Sequence, residues 1–284
     1  LDNGWTFDLT VALLNGAAYS NTNVTIDMQG LGKLDFNQGN SGNGIDAFDD
    51  KMPTAWEETW GTNVGTGVQL VKGIGTQQNV MYTTPTIGGI TLTASVAPDM
   101  GAADTGDKAF AVTSDGTGAG YDATINVNPS FGTEILSGLN LFVGAHTHEN
   151  YNSTASGIND QYEGTGGVTM DIGPISLGYQ RSGISTGNVL TPGDVDYYKN
   201  EHFGVSFNVN DDLSVSYGEF TSRKGFVNPN NAETVELNID SFQIAYTMGG
   251  ASVRYAQTDV DNAAYQTTAM YDKSGHVVSV SLAF

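Results

Sequence analysis

The residues best placed to do chemistry are acids gathered in one Gly-rich stretch. Residues 40–78 carry Asp46, Asp49, Asp50, Glu57 and Glu58 against Lys51 and Lys72. Carboxylates at this density can set the field of an aqueous passage or offer hard oxygen ligands to calcium. Asp46, Asp49 and Asp50 are the calcium candidates here, and Asp99, Asp104 and Asp107 form a second set. Neither set reproduces the spacing of an EF-hand loop. His146 and His148 fall on one face of a strand, a spacing that can hold zinc, but no third ligand stands beside them. They read as polar wall residues. Pro53 opens Thr-Ala-Trp-Glu-Glu-Thr-Trp60, which suits a short helix with Trp56 and Trp60 stacked four residues apart. On such a helix Glu57 and Glu58 diverge by about 100° and form no acid dyad. The chain has no Cys and no G-x-S-x-G elbow, and no nucleophile is spaced to pair with His202 or His276. The chemistry on offer is electrostatic, and the chain reads as a non-enzyme.

The elements that must position these acids are strands. Ile90, Leu92, Ala94 and Val96 alternate with Thr91, Thr93 and Ser95; Tyr121, Ala123, Ile125 and Val127 alternate with Asp122, Thr124 and Asn126. Period-two alternation marks a strand with one apolar and one polar face. It recurs along the chain and predicts fourteen strands near 5–14, 23–29, 33–39, 79–85, 90–98, 121–128, 139–149, 161–172, 175–182, 200–209, 213–222, 235–248, 251–257 and 276–284. Apolar parity slips in 235–248, from Val235, Leu237 and Ile239 to Phe242, Ile244 and Tyr246, so a bulge is expected near Asp240.

Connections alternate between tight turns and long polar stretches. Tight turns on one rim with long loops on the other are the plan of a transmembrane β-barrel. The polar parity carries Asp27, Asp35, Asp122, Asn126, Asn140, His146, His148, Asp171, Asn208 and Arg254. In a wide barrel this face is wetted by lumen water and needs no partners, whereas the outer face is expected to be nearly free of charge in mid-strand. The fold class is therefore all-β, a single antiparallel barrel spanning 1–284. Trp5, Tyr82, Tyr121, Tyr217, Tyr246 and Tyr255 suit interfacial girdles. The 284 residues carry a net charge of −21, which repels phosphate backbones and argues against nucleic acid as a partner. The same charge inside a pore favours cations.

The last strand reads His276-Val-Val-Ser-Val-Ser-Leu-Ala-Phe284, alternating to a terminal Phe. With the turn Gly30-Leu-Gly-Lys-Leu-Asp-Phe36, the Gly/Asp-rich segment after it and the hairpin Asn79-Val-Met-Tyr-Thr-Thr-Pro-Thr-Ile-Gly-Gly-Ile-Thr-Leu92, the chain resembles the general porins of Gram-negative bacteria, those of alphaproteobacteria most closely. That resemblance implies a homotrimer in the outer membrane, in contact with its lipids and lipopolysaccharide. Each barrel would pass small hydrophilic solutes and cations by diffusion, with no cofactor required. It also implies that residues 40–78 fold into the lumen, opposing Asp46, Asp49, Asp50, Glu57 and Glu58 to wall bases. Lys33, Arg181 and Arg254 are the available bases, of which Lys33 and Arg254 are taken for the constriction and Arg254 has the best lumenal parity. Trp side chains would anchor the segment. The family has sixteen strands, so an N-terminal strand pair is expected to lie before the turn signal Asp2-Asn3-Gly4.

Two other readings compete. A substrate-selective porin would show a ladder of lumenal aromatics, and none is visible. A secreted, calcium-stabilised surface or adhesin protein accounts for the acidity but not for the outward apolar parity.

Overall fold

The computed structural model describes residues 2–13, 19–101, 116–129, 134–151, 159–189, 192–227 and 234–282. Asp104, Asp107 and the terminal Phe284 lie outside them. Fourteen strands form one antiparallel sheet in the order β1 to β14, each paired to its neighbours in sequence, and the sheet curves into a barrel. The strands are β1 (Thr6–Leu13), β2 (Tyr19–Asp27), β3 (Lys33–Gln38), β4 (Asn79–Thr83), β5 (Ile90–Ala97), β6 (Gly116–Val127), β7 (Leu139–Tyr151), β8 (Gln161–Ile172), β9 (Ile175–Ser185), β10 (Val195–Asn208), β11 (Leu213–Phe226), β12 (Val235–Met248), β13 (Ala251–Asp261) and β14 (Lys273–Leu282). No described helix is long and apolar enough to cross a membrane.

The outer surface carries what a soluble protein would bury. Phe7, Leu9, Val11, Leu92, Val96, Leu141, Val143, Leu177, Phe207, Val253 and Val280 are all exposed. Their opposite-parity neighbours point inward, so one alternation supplies both a lipid-facing belt and a polar lumen. Tyr82 and Tyr246 stand outward toward the tight turns, and Tyr121, Tyr217 and Tyr255 toward the long loops, as girdles at both rims require.

Three sequence expectations change. β12 has no bulge: its register with β11 runs unbroken from Leu213↔Tyr246 to Lys224↔Val235. Parity slips because β12 swaps its apolar side halfway. Phe242, Ile244 and Tyr246 face lipid, whereas Leu237 and Ile239 face inward into an apolar core inside the barrel. Next, β9, β10, β11 and β13 run several residues past their expected ends at the long-loop rim. The outward residues there include charged Lys199, Arg223, Asp259 and Asp261 on β10, β11 and β13, and Gly183 and Ser185 on β9, so the apolar signal stops before the hydrogen bonding does.

The outer face is accordingly not free of mid-strand charge. Arg181 on β9 bonds Glu201 on β10 at 2.6 Å, and Arg223 on β11 bonds Glu236 on β12 at 2.6 Å. Tyr217 donates its hydroxyl to Glu219 at 2.8 Å or Asp240 at 2.7 Å. Above the apolar belt these strands stand in a polar zone, where exposed pairs cost little.

Candidate functional site

The longest described connection, residues 39–78 between β3 and β4, runs inside the barrel and is fastened to nine successive strands. It advances along the inner wall, turns at β14 and returns. On the outward limb, the Ile45 N–H donates to Asp122 of β6 at 3.1 Å, and Gln180 of β9 donates to the Phe48 carbonyl. Ala55 N–H donates to Ser216 Oγ of β11 at 2.8 Å. Gln243 of β12 accepts from the N–H groups of Trp56 (3.1 Å) and Glu57 (2.9 Å) and donates to the Glu57 carbonyl at 2.7 Å. Thr59 Oγ1 meets His202 Nε2 of β10 at 2.8 Å, and at the turn Lys273 of β14 donates to the Gly65 carbonyl at 2.9 Å. On the return limb, Asn200 of β10 donates to the Gln69 carbonyl at 2.8 Å. Glu163 of β8 accepts from Lys72 N–H at 2.7 Å and Gly73 N–H at 2.9 Å, and Ile74 N–H reaches Asp122 again at 3.3 Å.

This corrects the expectation of a water-solvated polar wall. Asp122, Glu163, Gln180, Asn200, His202 and Gln243 are buried beneath the segment and serve as its hydrogen-bonding partners. A non-repetitive strip of backbone inside a barrel leaves its N–H and C=O groups unpaired, and wall side chains of β6 to β14 supply what a helix or sheet would otherwise supply. His146 bonds Asp122 through Nδ1 and His148 through Nε2 at 2.9 Å, so the two imidazoles buttress the acid that anchors Ile45.

The expected helix after Pro53 does not form. The N–H groups of Ala55, Trp56 and Glu57 are committed to Ser216 and Gln243, which competes with helical bonding. The two Trp side chains therefore part. Trp60 packs against His202 (ring centroids 5.2 Å) and Phe220 (5.1 Å), whereas Trp56 lines a separate cavity. The sole described helical turn of the segment is a 3-10 turn at Gly44–Phe48. With no helix to separate them, Glu57 and Glu58 interact directly.

Two apolar anchors reinforce the polar ones. Phe48 and Met52 pack on the inward Phe142 of β7. Trp60, Val64, Val68 and Leu70 pack on the inward Phe220, Leu237, Ile239 and Val260, joined by Ala263 and Tyr265 from the β13–β14 connection.

Close approach is made possible by glycines that strand propensity disfavours. Gly178, Gly204 and Gly218 sit on adjacent strands in one register row, all facing inward. A Cβ on Gly178 would stand 2.6 Å from Pro53 Cδ, one on Gly204 3.0 Å from Met52 Cβ, and one on Gly218 would collide with Thr59 Oγ1. The three make a trough in which residues 52–59 lie. Sequence reasoning missed it, although the signal was available as mid-strand glycines on the inward parity.

The acids named from sequence converge only in part. Asp49, Asp50 and Glu58 interact with one another, and Glu57 with Glu58. Burial, then repulsion from Asp46 and Glu58, pushes the Asp49 carboxyl up to about 6. Burial, then Glu58 and Asp49, likewise pushes Asp50 up to about 6. Burial and Glu58 raise Glu57 above the usual carboxylate range, opposed by Arg254. Asp46 is also raised, chiefly by burial, and accepts from Gly42 N–H at 2.6 Å. Among the described residues no three acids or imidazoles are arranged to hold a metal ion.

The bases fall apart. Arg254 points inward from β13 and borders the Trp56 cavity. Lys33 lies by the tight turn of β2 and β3, 3.8 Å from Asp27, so its ion-pair partner is a wall acid and not an acid of the inserted segment. Arg181 faces outward on β9, paired with Glu201.

A barrel whose longest connection lies along its own inner wall is the decisive feature. The chain has the porin-barrel fold. Solved structures agree across nearly its whole length. The anion-selective porin of Comamonas acidovorans superposes with a TM-score of 0.64 at 12% identity, covering 99% of this chain and 84% of that one. OmpF of Salmonella typhi, in complex with daunomycin, gives 0.61 at 10% identity over 93% and 78%. OmpT of Vibrio cholerae gives 0.60 at 11% identity over 93% and 81%. No protein-family model and no curated protein sequence matches the chain. At these identities the shared property is the fold.

Proposed function

We propose that this porin-fold barrel is a general outer-membrane porin of a Gram-negative bacterium. It forms a water-filled channel for passive diffusion of small hydrophilic solutes and ions. The observation that carries this is residues 39–78 laid along one side of the lumen and bonded to wall side chains between β6 and β14, which narrows the barrel. Inward residues outside its cover, among them Asp8, Thr10, Asn23, Thr25 and Ser279, are partly or fully exposed, as a wetted passage requires. Outward Phe, Leu, Val and Tyr residues supply the lipid contact.

Mild cation preference belongs to the same proposal. The segment brings Asp49, Asp50, Glu57 and Glu58 together, with Arg254 the wall base nearest to them, in a chain of net charge −21. Fixed negative charge in a narrow aqueous path concentrates counter-ions. The Comamonas neighbour is anion-selective, so the preference rests on this chain's own charges and not on the shared fold. We further propose a homotrimer, kinship with the alphaproteobacterial porins, and contact with lipopolysaccharide at the outer rim. The V. cholerae OmpT fold occurs in a trimer form, and the Gly30–Phe36 and Asn79–Leu92 stretches support the kinship. The mechanism is size exclusion by the inserted segment plus electrostatic filtering, with no cofactor and no catalytic step.

The test is purification in detergent, gel mobility with and without boiling, and reconstitution in a planar bilayer under a salt gradient. Stepwise conductance in units of three, with a cation-biased reversal potential, is expected. A protein soluble without detergent that gives no conductance overturns the proposal.

A further inference from the structure

Beneath the inserted segment, at the tight-turn rim, lies a cavity of about 370 Å³. Its roof is Ala55 and Trp56, its rim is the β10–β11 turn with Asp211 and Asp212, and its wall includes Arg254. The wall's composition is specific. One register row crosses five strands as Asn208↔Ser214↔Ala245↔Arg254↔Ser279, so a single long cation stands among small neighbours. Among the described residues Arg254 makes no ion pair or hydrogen bond; Glu57, next to Trp56 in the segment, acts on it only through its field. The roof is fixed one row higher, where Ser216 and Gln243 hold the backbone of Ala55, Trp56 and Glu57. That anchoring fixes the backbone of the Trp56 platform before any solute arrives.

We propose that this cavity is a binding subsite for a small zwitterionic solute of amino-acid type. The inference rests on the channel reading and deepens it. Arg254 presents a planar fork of donors suited to a carboxylate. Asp211 and Asp212, exposed on the rim, face an ammonium group with opposite charge. Trp56 offers a flat apolar face to the carbon skeleton between the two ends. An uncharged solute would leave both charge sets unmatched, and a simple anion would meet Arg254 but be repelled by the rim acids. The cavity's size falls within the usual span of small-molecule sites, roughly 300–1,000 Å³.

The probe is L-glutamine, added to the rim side of reconstituted full-length channels while ion current is recorded. Saturable current block is expected. Half-block concentration should rise at least tenfold in Arg254→Ser, less in Arg254→Lys, and severalfold in the double variant Asp211→Asn with Asp212→Asn. D-glucose and acetate should block far more weakly. Quenching of intrinsic fluorescence by L-glutamine in detergent, lost in Trp56→Phe, gives a readout independent of conductance. Native-like heat-modified gel mobility certifies that each variant has folded. Conductance without saturable block, or block indifferent to Arg254→Ser, overturns the subsite and leaves the channel standing. Glucose blocking as well as glutamine also overturns it. Absence of any conductance overturns the channel reading, and the subsite with it.

Discussion

Two halves of the inner wall share one alternation and do opposite things with it. On β6 to β13 many inward residues, among them Asp122, Glu163, Gln180, Asn200, His202, Gln243 and the glycines of the trough, are committed to residues 39–78. On β1, β2 and β14 the inward residues, including Asp8, Thr10, Thr25, Val277 and Ser279, stay partly or fully exposed. Polar parity in a barrel therefore has two meanings. It can mean a face left to water, or a face that satisfies the backbone of an inserted strip. What distinguishes them is glycine and apolar content: only the covered half carries the Gly178–Gly204–Gly218 row and the inward Phe142, Phe220, Leu237 and Ile239.

The comparison breaks most severely if the trough is filled. Gly204→Val with Gly218→Val should displace residues 52–59 and raise single-channel conductance several-fold. Overpacking of this kind costs about 1–3 kcal/mol per site where the segment stays seated. Thr10→Val on the exposed half should leave conductance nearly unchanged. Equal effects from both changes would show that the two halves do not differ.

Removing an apolar anchor should loosen the segment without filling its path. Leu237→Ala deletes a fully buried side chain, and such deletions cost about 2–5 kcal/mol. Hydrogen exchange of residues 59–73 should accelerate while the strands of the exposed half keep their protection.

The acid cluster predicts a pH effect. Asp49 and Asp50 are held at about 6, above their ordinary value of 3.8. Cation preference should fall as pH drops through about 6, and Asp49→Asn with Asp50→Asn should abolish that step in the reversal potential. The linkage sign is opposite for stability. Because both carboxyls are raised, their contribution to holding the fold is fully present below about 3.8 and is lost as pH rises through about 6. Exchange of residues 45–58 should therefore slow, after correction for intrinsic rates, between pH 7.5 and 4.5.

The smallest effect belongs to the outer face. Arg181→Gln removes an exposed pair with Glu201, and exposed pairs are worth roughly 0–1 kcal/mol. Conductance and selectivity should be unaltered, in contrast to Arg254, which shares its charge but faces the lumen.

Sequence was sufficient for the strand count because lipid outside and water inside impose a period-two rule on every strand. Two of the fourteen strands, 161–172 and 235–248, match at both ends, and the others differ chiefly at the long-loop rim, where charged outward residues such as Lys199, Arg223 and Asp259 carry no apolar signal. The acid-rich segment and the inward parity of Arg254 were legible for the same local reason. The partners were not. The inward turn of Leu237 looked like a bulge, and Pro53 to Trp60 looked helical, because the groups deciding both lie more than a hundred residues away: Trp60 beside Phe220, and Gln243 bonded to Trp56 and Glu57. Alternation tells each side chain which side of the wall it faces. Only closure of the barrel around its own loop decides whether that side is wet, and so whether a buried amide is an anchor or a pore lining.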